Sequence, residues 1–256
     1  AIIAGVTMMI LARDYSLRVF FRLVARGCLV MLLGVALLPV GGEIQVVLVV
    51  MGAAMALTAW VPPLATAWKV VLFALATAAA TALYAPYTLP QVYPLVAFLA
   101  YLVAGMLLYD VYLTRPRRTH TIVTAVAVVV TGIGLWQRFN PSIPGWLRFT
   151  GHTGVLGEIL LSVAVTALVL HLCLVLGRAL PRLTFPFAAL GSMSLTIYIL
   201  HILTARYWQA HVSLHNTMAA AGFVLAFLVL SALWRTFFGK GPAERAVAWA
   251  VKEVAA

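Results

Sequence analysis

Apolar residues occur along the chain in long runs, and short polar or basic stretches separate them. Nine such runs can be delimited: residues 1–12, 24–40, 44–61, 67–85, 92–113, 121–137, 153–176, 185–207 and 217–238. In lipid, only helices and closed barrels satisfy every backbone polar group, and these runs are too long and unbroken for barrel strands. The pattern predicts an all-α fold, a polytopic transmembrane helix bundle with about nine membrane segments.

The first run, residues 1–12, is shorter than the roughly 20 residues that a spanning helix needs. Since the sequence starts at Ala1 and not at a methionine, we expect that this first segment is truncated and that chain is missing ahead of it. Residues 1–238 form the predicted transmembrane bundle.

The remaining residues, 239–256, predict a short helix. Gly241 suits a helix cap, Pro242 suits the first turn, and Glu244 complements the positive amino-terminal end of the helix dipole. Apolar residues recur along one side of this segment. We expect an amphipathic tail that lies on the cytoplasmic surface of the membrane.

Composition supports membrane insertion. The chain is 64% hydrophobic and 9% charged, with a mean hydropathy of +1.08, values typical of polytopic membrane proteins. The formal net charge of +11 does not indicate nucleic acid as a partner, because the basic residues sit in short loops between the apolar runs. Membrane lipids are the expected partner.

The basic residues also predict an orientation. If the loop after the first run is cytoplasmic and the segments alternate, all basic residues but Arg138, Arg148 and Arg206 lie inside. This strong positive-inside bias places the carboxyl terminus in the cytoplasm. Heavy use of Ala, Val and Arg favours a bacterial plasma membrane.

One apolar run carries a polar stripe. In Phe185–Tyr207, the residues Gly191, Ser194, Tyr198 and His201 follow one another at intervals of three or four, which predicts one face of a single helix. Such a face is expected to point into the bundle or a wet cavity. Two roles remain open at this point: hydrogen bonds between helices, or a functional site.

Ionisable residues inside membrane segments indicate function by default. They are Glu158, His171, His201 and, near a cytoplasmic end, Asp110. Glu158 and His201 lie towards the outer side, where they could share a polar pocket with His152. For His171 we expect a hydrogen bond to a backbone carbonyl or a hydroxyl.

Arginines cluster at the predicted cytoplasmic side. Arg18, Arg22 and Arg26 recur every four residues, and a second cluster follows the fifth run: Arg115, Arg117 and Arg118. They either anchor the topology or bind an anionic cytosolic ligand such as a nucleotide phosphate.

The outer loop Gln137–His152 combines aromatic and basic residues, among them Trp146, Arg138 and Arg148. These either anchor the membrane interface or contact a sugar or an anionic acceptor. Motifs of soluble enzymes are missing from the sequence. Its two cysteines and its histidines show no zinc spacing, so no metal is expected.

Three motifs resemble a known family. Leu190 to His201, LGSMSLTIYILH, is similar to a late-helix signature of the transmembrane acyltransferase group that contains heparan-alpha-glucosaminide N-acetyltransferase and its bacterial relatives. Ala4-Gly5-Val6, with the basic stretch Arg22 to Gly27 that follows, resembles the third-helix region of this group. Gly241 to Glu244 resembles the GPxE ending of its bacterial members.

The resemblance implies an acyl donor, usually acetyl-coenzyme A, that is used from the cytoplasmic side. The acyl group then passes to an amine or hydroxyl of a glycan or lipid-linked sugar on the other side. It also implies a general-base histidine on the outer side ahead of the Ala-Gly-Val helix, upstream of residue 1.

The residues of this chain are therefore expected to form the wall of the site. The supporting candidates are Tyr198, His201, Ser194 and Glu158, and the candidates for binding acyl-CoA are Arg22, Arg26, Arg115, Arg117 and Arg118. A transporter or an accessory subunit of a membrane complex is the alternative, and a homo-oligomer also remains open.

Overall fold

The computed structural model describes residues 1–42, 44–85, 92–140, 142–147, 151–209 and 217–254, and every regular element in these ranges is helical. The α-helices are α1 (Ile2–Leu11), α2 (Leu17–Gly41), α3 (Leu48–Leu57), α4 (Thr66–Tyr84), α5 (Leu95–Tyr109), α6 (Arg117–Arg138), α7 (Leu156–Ala179), α8 (Pro181–Ser192), α9 (Ser194–Gln209), α10 (Thr217–Phe238) and α11 (Pro242–Val254). A π-helical turn, Asp110–Thr114, continues α5, and a short 3-10 helix spans Gly145–Leu147.

The predicted all-α membrane bundle is confirmed, but it has fewer complete spans than nine. In the described residues, six helices are long and apolar enough to cross a membrane, or seven if α8 and α9 count as one bent span. The runs 1–12 and 44–61 instead form α1 and α3, each ten residues long. A helix of that length rises only about 15 Å, half the hydrocarbon thickness.

The centre of the bundle is α5 together with its π-helical turn. Most of this segment is buried, and it packs against α1, α3, α4 and α7. α1 approaches it most closely through two glycines. A Cβ on Gly105 would lie 1.8 Å from the carbonyl oxygen of Ile2, and one on Gly5 would lie 2.0 Å from that of Leu102. The two backbones are therefore in direct contact.

A second close pair joins α2 and α3. A Cβ on Gly52 would lie 2.5 Å from the carbonyl oxygen of Gly27, so that the short α3 lies flat against the long α2. Small residues at helix contacts permit this close approach. In lipid, where the hydrophobic effect does not drive helices together, the resulting van der Waals contacts stabilise the helix pair. α2 also packs against α9 and α11.

Two groups of residues mark the two ends of the bundle. Ala1, Pro94 and His152 line one pocket at one end of the bundle, and Lys69 pairs with Asp110 at the other. We refer to these as the outer and inner ends, following the predicted orientation. The side of the membrane that each end faces stays a prediction.

The run 185–207 is not one helix, so the predicted polar stripe is not a single helical face. The helix breaks at Met193, and α8 and α9 are bent by 73°. Gly191 belongs to α8, whereas Ser194, Tyr198 and His201 belong to α9. The stripe therefore loses Gly191, and the remaining three residues follow the direction of α9 alone.

Candidate functional site

A pocket of about 320 Å³ opens at the outer end of the bundle. Its polar lining comes from two places, the entry to α5 and the entry to α7. The residues that line it are Ala1, Ile2, Ile3, Val92, Tyr93, Pro94, Phe98, Tyr101, His152, Glu158, Ser162 and Thr166. We call this the outer pocket. It brings together Glu158 and His152, as the sequence predicted.

Glu158 lies in the first turn of α7 and accepts five hydrogen bonds. Its Oε2 accepts from the backbone N–H of Thr153 at 2.6 Å, from the Thr153 hydroxyl at 2.7 Å and from the N–H of Gly154 at 2.9 Å. Its Oε1 accepts from the N–H of His152 at 3.1 Å and the Tyr101 hydroxyl at 3.4 Å. Both carboxylate oxygens thus accept hydrogen bonds from the loop that precedes α7 and fix its conformation, much as a capping glutamate does.

The loop that Glu158 holds has an unusual backbone at His152. Its φ is +64°, the one positive value of a residue other than glycine in the described chain. A side chain in this left-handed region costs energy, and residues held there cluster at functional sites. The strain is sustained by the bonds to Glu158 and by Gly154, which also has a positive φ of 68°.

The His152 ring is fixed in one tautomer. Its Nδ1 lies 3.0 Å from the carbonyl oxygen of Val92, and because a carbonyl only accepts, Nδ1 must carry the proton. In the neutral ring, Nε2 then keeps a lone pair. His152 is exposed, and no described residue forms a hydrogen bond with Nε2, so this nitrogen is able to accept a proton.

Tyr93 completes the surroundings of His152. The two rings meet edge to face with centroids 6.2 Å apart, and the Tyr93 hydroxyl donates to the carbonyl of Gln45 at 2.9 Å. Burial raises the pKa of Tyr93, so the phenol remains a donor at neutral pH. The residues preceding α3 are tied in this way to the rim of the outer pocket.

The other supporting candidates do not line the outer pocket. The Tyr198 hydroxyl accepts the N–H of Val47 at 3.0 Å, just before α3. His201 is exposed, and its ring meets that of Phe223 edge to face at 6.4 Å. Ser194 is exposed at the start of α9. The prediction that His201 shares a pocket with Glu158 is therefore wrong, because the bend after α8 directs α9 towards α2.

Two contacts at the inner end were not foreseen. Lys69 is 2% exposed, and its Nζ lies 3.1 Å from Oδ2 of Asp110, the first residue of the π-helical turn. Thr66 donates to the same oxygen at 3.0 Å. Lys69, which the charge count treats as a cytoplasmic surface residue, is instead one half of a buried ion pair.

The second unforeseen contact involves the tail. Glu244 does not serve α11 alone: its Oε1 accepts the N–H of Leu195 at 2.7 Å and the N–H of Thr196 at 3.1 Å, at the start of α9. Val247 of α11 is buried, and α11 packs against α2 and α9. The tail is thus fastened to the bundle and does not simply lie on the membrane surface.

The two arginine clusters do not border one mouth. Arg22 and Arg26 are half-buried on α2, and the buried Nε of Arg22 has no hydrogen-bond partner in the described chain. Glu244 acts electrostatically on Arg26, but the two form no ion pair within 4.0 Å in these ranges. Arg115 and Arg117 line a separate pocket together with residues of α7. Arg118 does not line this pocket.

Two further expectations concern single residues. His171 forms no hydrogen bond within the described part of the chain; its ring packs on Tyr112 with centroids 5.8 Å apart. In the loop Gln137–His152, Trp146 lines an apolar groove with α4. Arg148 lies outside the described residues, as do the last two residues of the tail.

Together, these features define a polytopic helical membrane protein with a polar pocket at each end of α7. A family model described as "Protein of unknown function (DUF418)" matches residues 104–252, and the chain belongs to this family. The matched region includes His152, Glu158 and Glu244, whereas Arg22 and Arg26 precede it. No curated protein and no solved structure matches the chain.

Proposed function

We propose that this protein is a membrane-bound acyltransferase. It moves an acyl group, in the simplest case acetyl, from a cytosolic acyl-CoA to an amine or hydroxyl of an extracytoplasmic glycan or lipid-linked sugar. The observation that carries the proposal is His152: a strained backbone and the Val92 carbonyl hold its ring, with the Nε2 lone pair unoccupied, at the edge of the outer pocket.

The chemistry assigned to this pocket is a single acyl transfer. Nε2 of His152 takes the proton of the acceptor's hydroxyl or amine, and the freed oxygen or nitrogen forms a bond to the thioester carbonyl carbon. The carbon–sulfur bond then breaks, and the coenzyme A thiolate leaves and takes up the proton. Glu158 does not act as a base here, because its two oxygens already accept five hydrogen bonds; it positions His152.

The resemblance stated above fits the same pocket. It implies an acceptor on the outer side, and the pocket that His152 and Glu158 line opens at the predicted outer end of the bundle.

The donor side of the proposal rests on Arg22 and Arg26. A guanidinium drawn into the protein without a contacting counter-anion is costly, and a phosphate supplies the missing partner. The buried, unpaired Nε of Arg22 is such a group. With the charge-based orientation, these arginines face the cytoplasm of a bacterial cell, where acyl-CoA is made.

The broken pair α8 and α9 suggests a transporter as the second candidate. Transporters bind anionic substrates at the positive end of an interrupted helix. Here that end, the start of α9, is already filled by the Glu244 carboxylate. This contact favours the acyltransferase over an anion transporter.

The decisive experiment is an acyl-transfer assay on the purified full-length protein in detergent. We expect binding and turnover of acetyl-CoA, and a rise in its apparent Kd of about tenfold or more for Arg26→Gln, since a charge-assisted hydrogen bond contributes roughly 1.5–3 kcal/mol. Arg18→Gln is the matched control, because Arg18 is exposed two turns earlier on the same helix.

Absence of donor binding at millimolar acetyl-CoA would overturn the proposal. Uptake of a solute without acyl transfer would favour the transporter. Purification with constant partner proteins, again without turnover, would favour an accessory subunit.

A further inference from the structure

The inner end of the bundle contains a second polar cavity, of about 740 Å³. Basic side chains from three consecutive elements, the turn after α5, α6 and α7, surround it. We call it the basic pocket, and its charged and imidazole-bearing residues are Arg115, Arg117, His120, His171 and Arg178. It is separate from the outer pocket and from Arg22 and Arg26.

The floor of the basic pocket is a cluster of three rings. Tyr112, which is 2% exposed, contacts the rings of both His120 and His171 in tilted orientations, with centroid distances of 5.5 and 5.8 Å. The His120 Nε2 lies 2.9 Å from the carbonyl of Arg115 and therefore donates to it. This contact fixes the turn that carries the arginine, so the floor is built and not formed by chance from loose surface chains.

The charge of the basic pocket is not compensated. No carboxylate is among its lining residues, and the nearby Asp110 is bound by Lys69 and Thr66. The guanidinium groups of Arg117 and Arg178, both exposed, form no hydrogen bond or ion pair within the described ranges. Simple topology anchors need only face water, whereas these arginines converge on one cavity. The pocket is thus suited to an anion that accepts several hydrogen bonds, such as a phosphate.

The surroundings favour a phosphate that is attached to a lipid. The pocket wall also includes Leu113 and Val175, which are 40% and 49% exposed. From there, the largely exposed apolar faces of α6 and α7 run into the membrane. A phospholipid with its headgroup in the pocket would place its acyl chains along these faces, whereas a free phosphate would not contact them. Basic pockets between spanning helices on the cytoplasmic side commonly bind anionic lipids.

We propose that the basic pocket binds the phosphate of an anionic phospholipid, with Arg117 and Arg178 as the principal contacts. This inference does not depend on the acyltransferase proposal, and each can fail without the other. The lipid would hold α6 and α7 together at their inner ends, next to the π-helical turn that carries Asp110.

The test uses the full-length protein in neutral detergent with three probes: short-chain phosphatidylglycerol, short-chain phosphatidylcholine and inorganic phosphate. Native mass spectrometry and titration of the melting temperature report binding. We expect phosphatidylglycerol to bind, and phosphatidylcholine and phosphate to bind at least tenfold more weakly. The double variant R117Q/R178Q should weaken phosphatidylglycerol binding by about tenfold or more, since each arginine near a membrane surface contributes about a fivefold factor.

Arg118→Gln is the matched control, because Arg118 has the same charge one residue further along α6 but does not line the pocket. An equal loss of phosphatidylglycerol binding in Arg118→Gln and Arg117→Gln would show that only the general surface charge matters, and would overturn the proposal. Equal binding of phosphate and phosphatidylglycerol would assign the pocket to a free anion instead.

A variant that fails to fold does not remove the test. Wild-type protein in vesicles with a photoreactive phosphatidylglycerol should become labelled on residues 112–121 and 171–179. Label spread evenly over all lipid-exposed helices would overturn the proposal, as would label confined to the outer end.

Discussion

The hydroxyl of Thr196, in the first turn of α9, donates a hydrogen bond of 2.5 Å to Oε2 of Glu244 in α11. The same hydroxyl accepts the N–H of Ala243 at 3.1 Å. Because Oε1 of Glu244 also accepts two backbone N–H groups of α9, the carboxylate satisfies donors that the break at Met193 would leave free. The tail helix and the broken helix therefore stabilise each other.

Replacing Glu244 by Gln should destabilise the protein by about 2 kcal/mol. The amide keeps one acceptor but places an NH2 group against backbone donors, and it loses the charge at the positive end of α9. Thermal unfolding in detergent measures the loss. Glu253→Gln, the same change at an exposed position of α11, should stay within about 0.5 kcal/mol of wild type. Equal melting temperatures for the two variants would contradict this role of Glu244.

The Lys69–Asp110 pair should show strong coupling in a double-mutant cycle. Lys69→Met or Asp110→Asn alone leaves one group without its partner in a buried site, which costs about 3–5 kcal/mol. The double variant should recover part of that loss because no unpaired charge remains. Melting temperatures of the four proteins give the coupling energy. Additive losses would mean that the pair does not interact in the folded state.

Tyr198→Phe should lower stability slightly and leave turnover unchanged. The change removes the acceptor of the Val47 N–H, and hydrogen bonds between membrane helices contribute about 0.6 kcal/mol on average. Melting temperature and specific activity should be measured on the same preparation. Ser194→Ala, at an exposed position on the same helix, should change neither quantity. A tenfold loss of turnover in Tyr198→Phe would instead show that this residue contributes to the catalytic site.

His152→Gln should lower kcat by about 10²-fold or more, because general-base catalysis contributes 10²–10⁴-fold and an amide cannot take the proton. Glu158→Gln should lower kcat less, since His152 would still be present but held less firmly. His201→Gln is the control, as His201 lies away from the outer pocket. Unchanged kcat in His152→Gln would exclude it as the base.

The long spans could be predicted from hydropathy because a lipid-facing helix needs only length and apolar composition. The short helices could not. The run 44–61 is as apolar as its neighbours, but α3 ends at Leu57, and its packing against α2 depends on Gly27 and Gly52 being opposite each other. Likewise, the break at Met193 is stabilised by a hydrogen bond from the Leu195 N–H to Glu244, a residue far along the chain.

For the candidate site, the sequence identified ionisable residues in membrane segments but not their partners. The sequence predicts that Glu158 and His152 lie close together because both lie near the outer end of the same membrane segment. Lys69 and Asp110 lie on different helices, and no periodicity within either helix indicates their pairing. A lysine close to a span end resembles any topology signal, so its burial becomes evident only from the packing of α4 on α5.

This pairing has a consequence for how the protein is made. At the centre of a helix, a lone lysine or aspartate costs about 2.5–3.5 kcal/mol on biological insertion scales, and near a span end, where Lys69 and Asp110 lie, the cost is smaller but has the same sign. α4 and the segment formed by α5 and its π-helical turn are consecutive and carry one charge each, so during synthesis they are expected to leave the translocon together as a hairpin with the pair already formed. In a nascent chain stalled after the synthesis of α4 alone, Lys69 should therefore lack its partner and remain in contact with water.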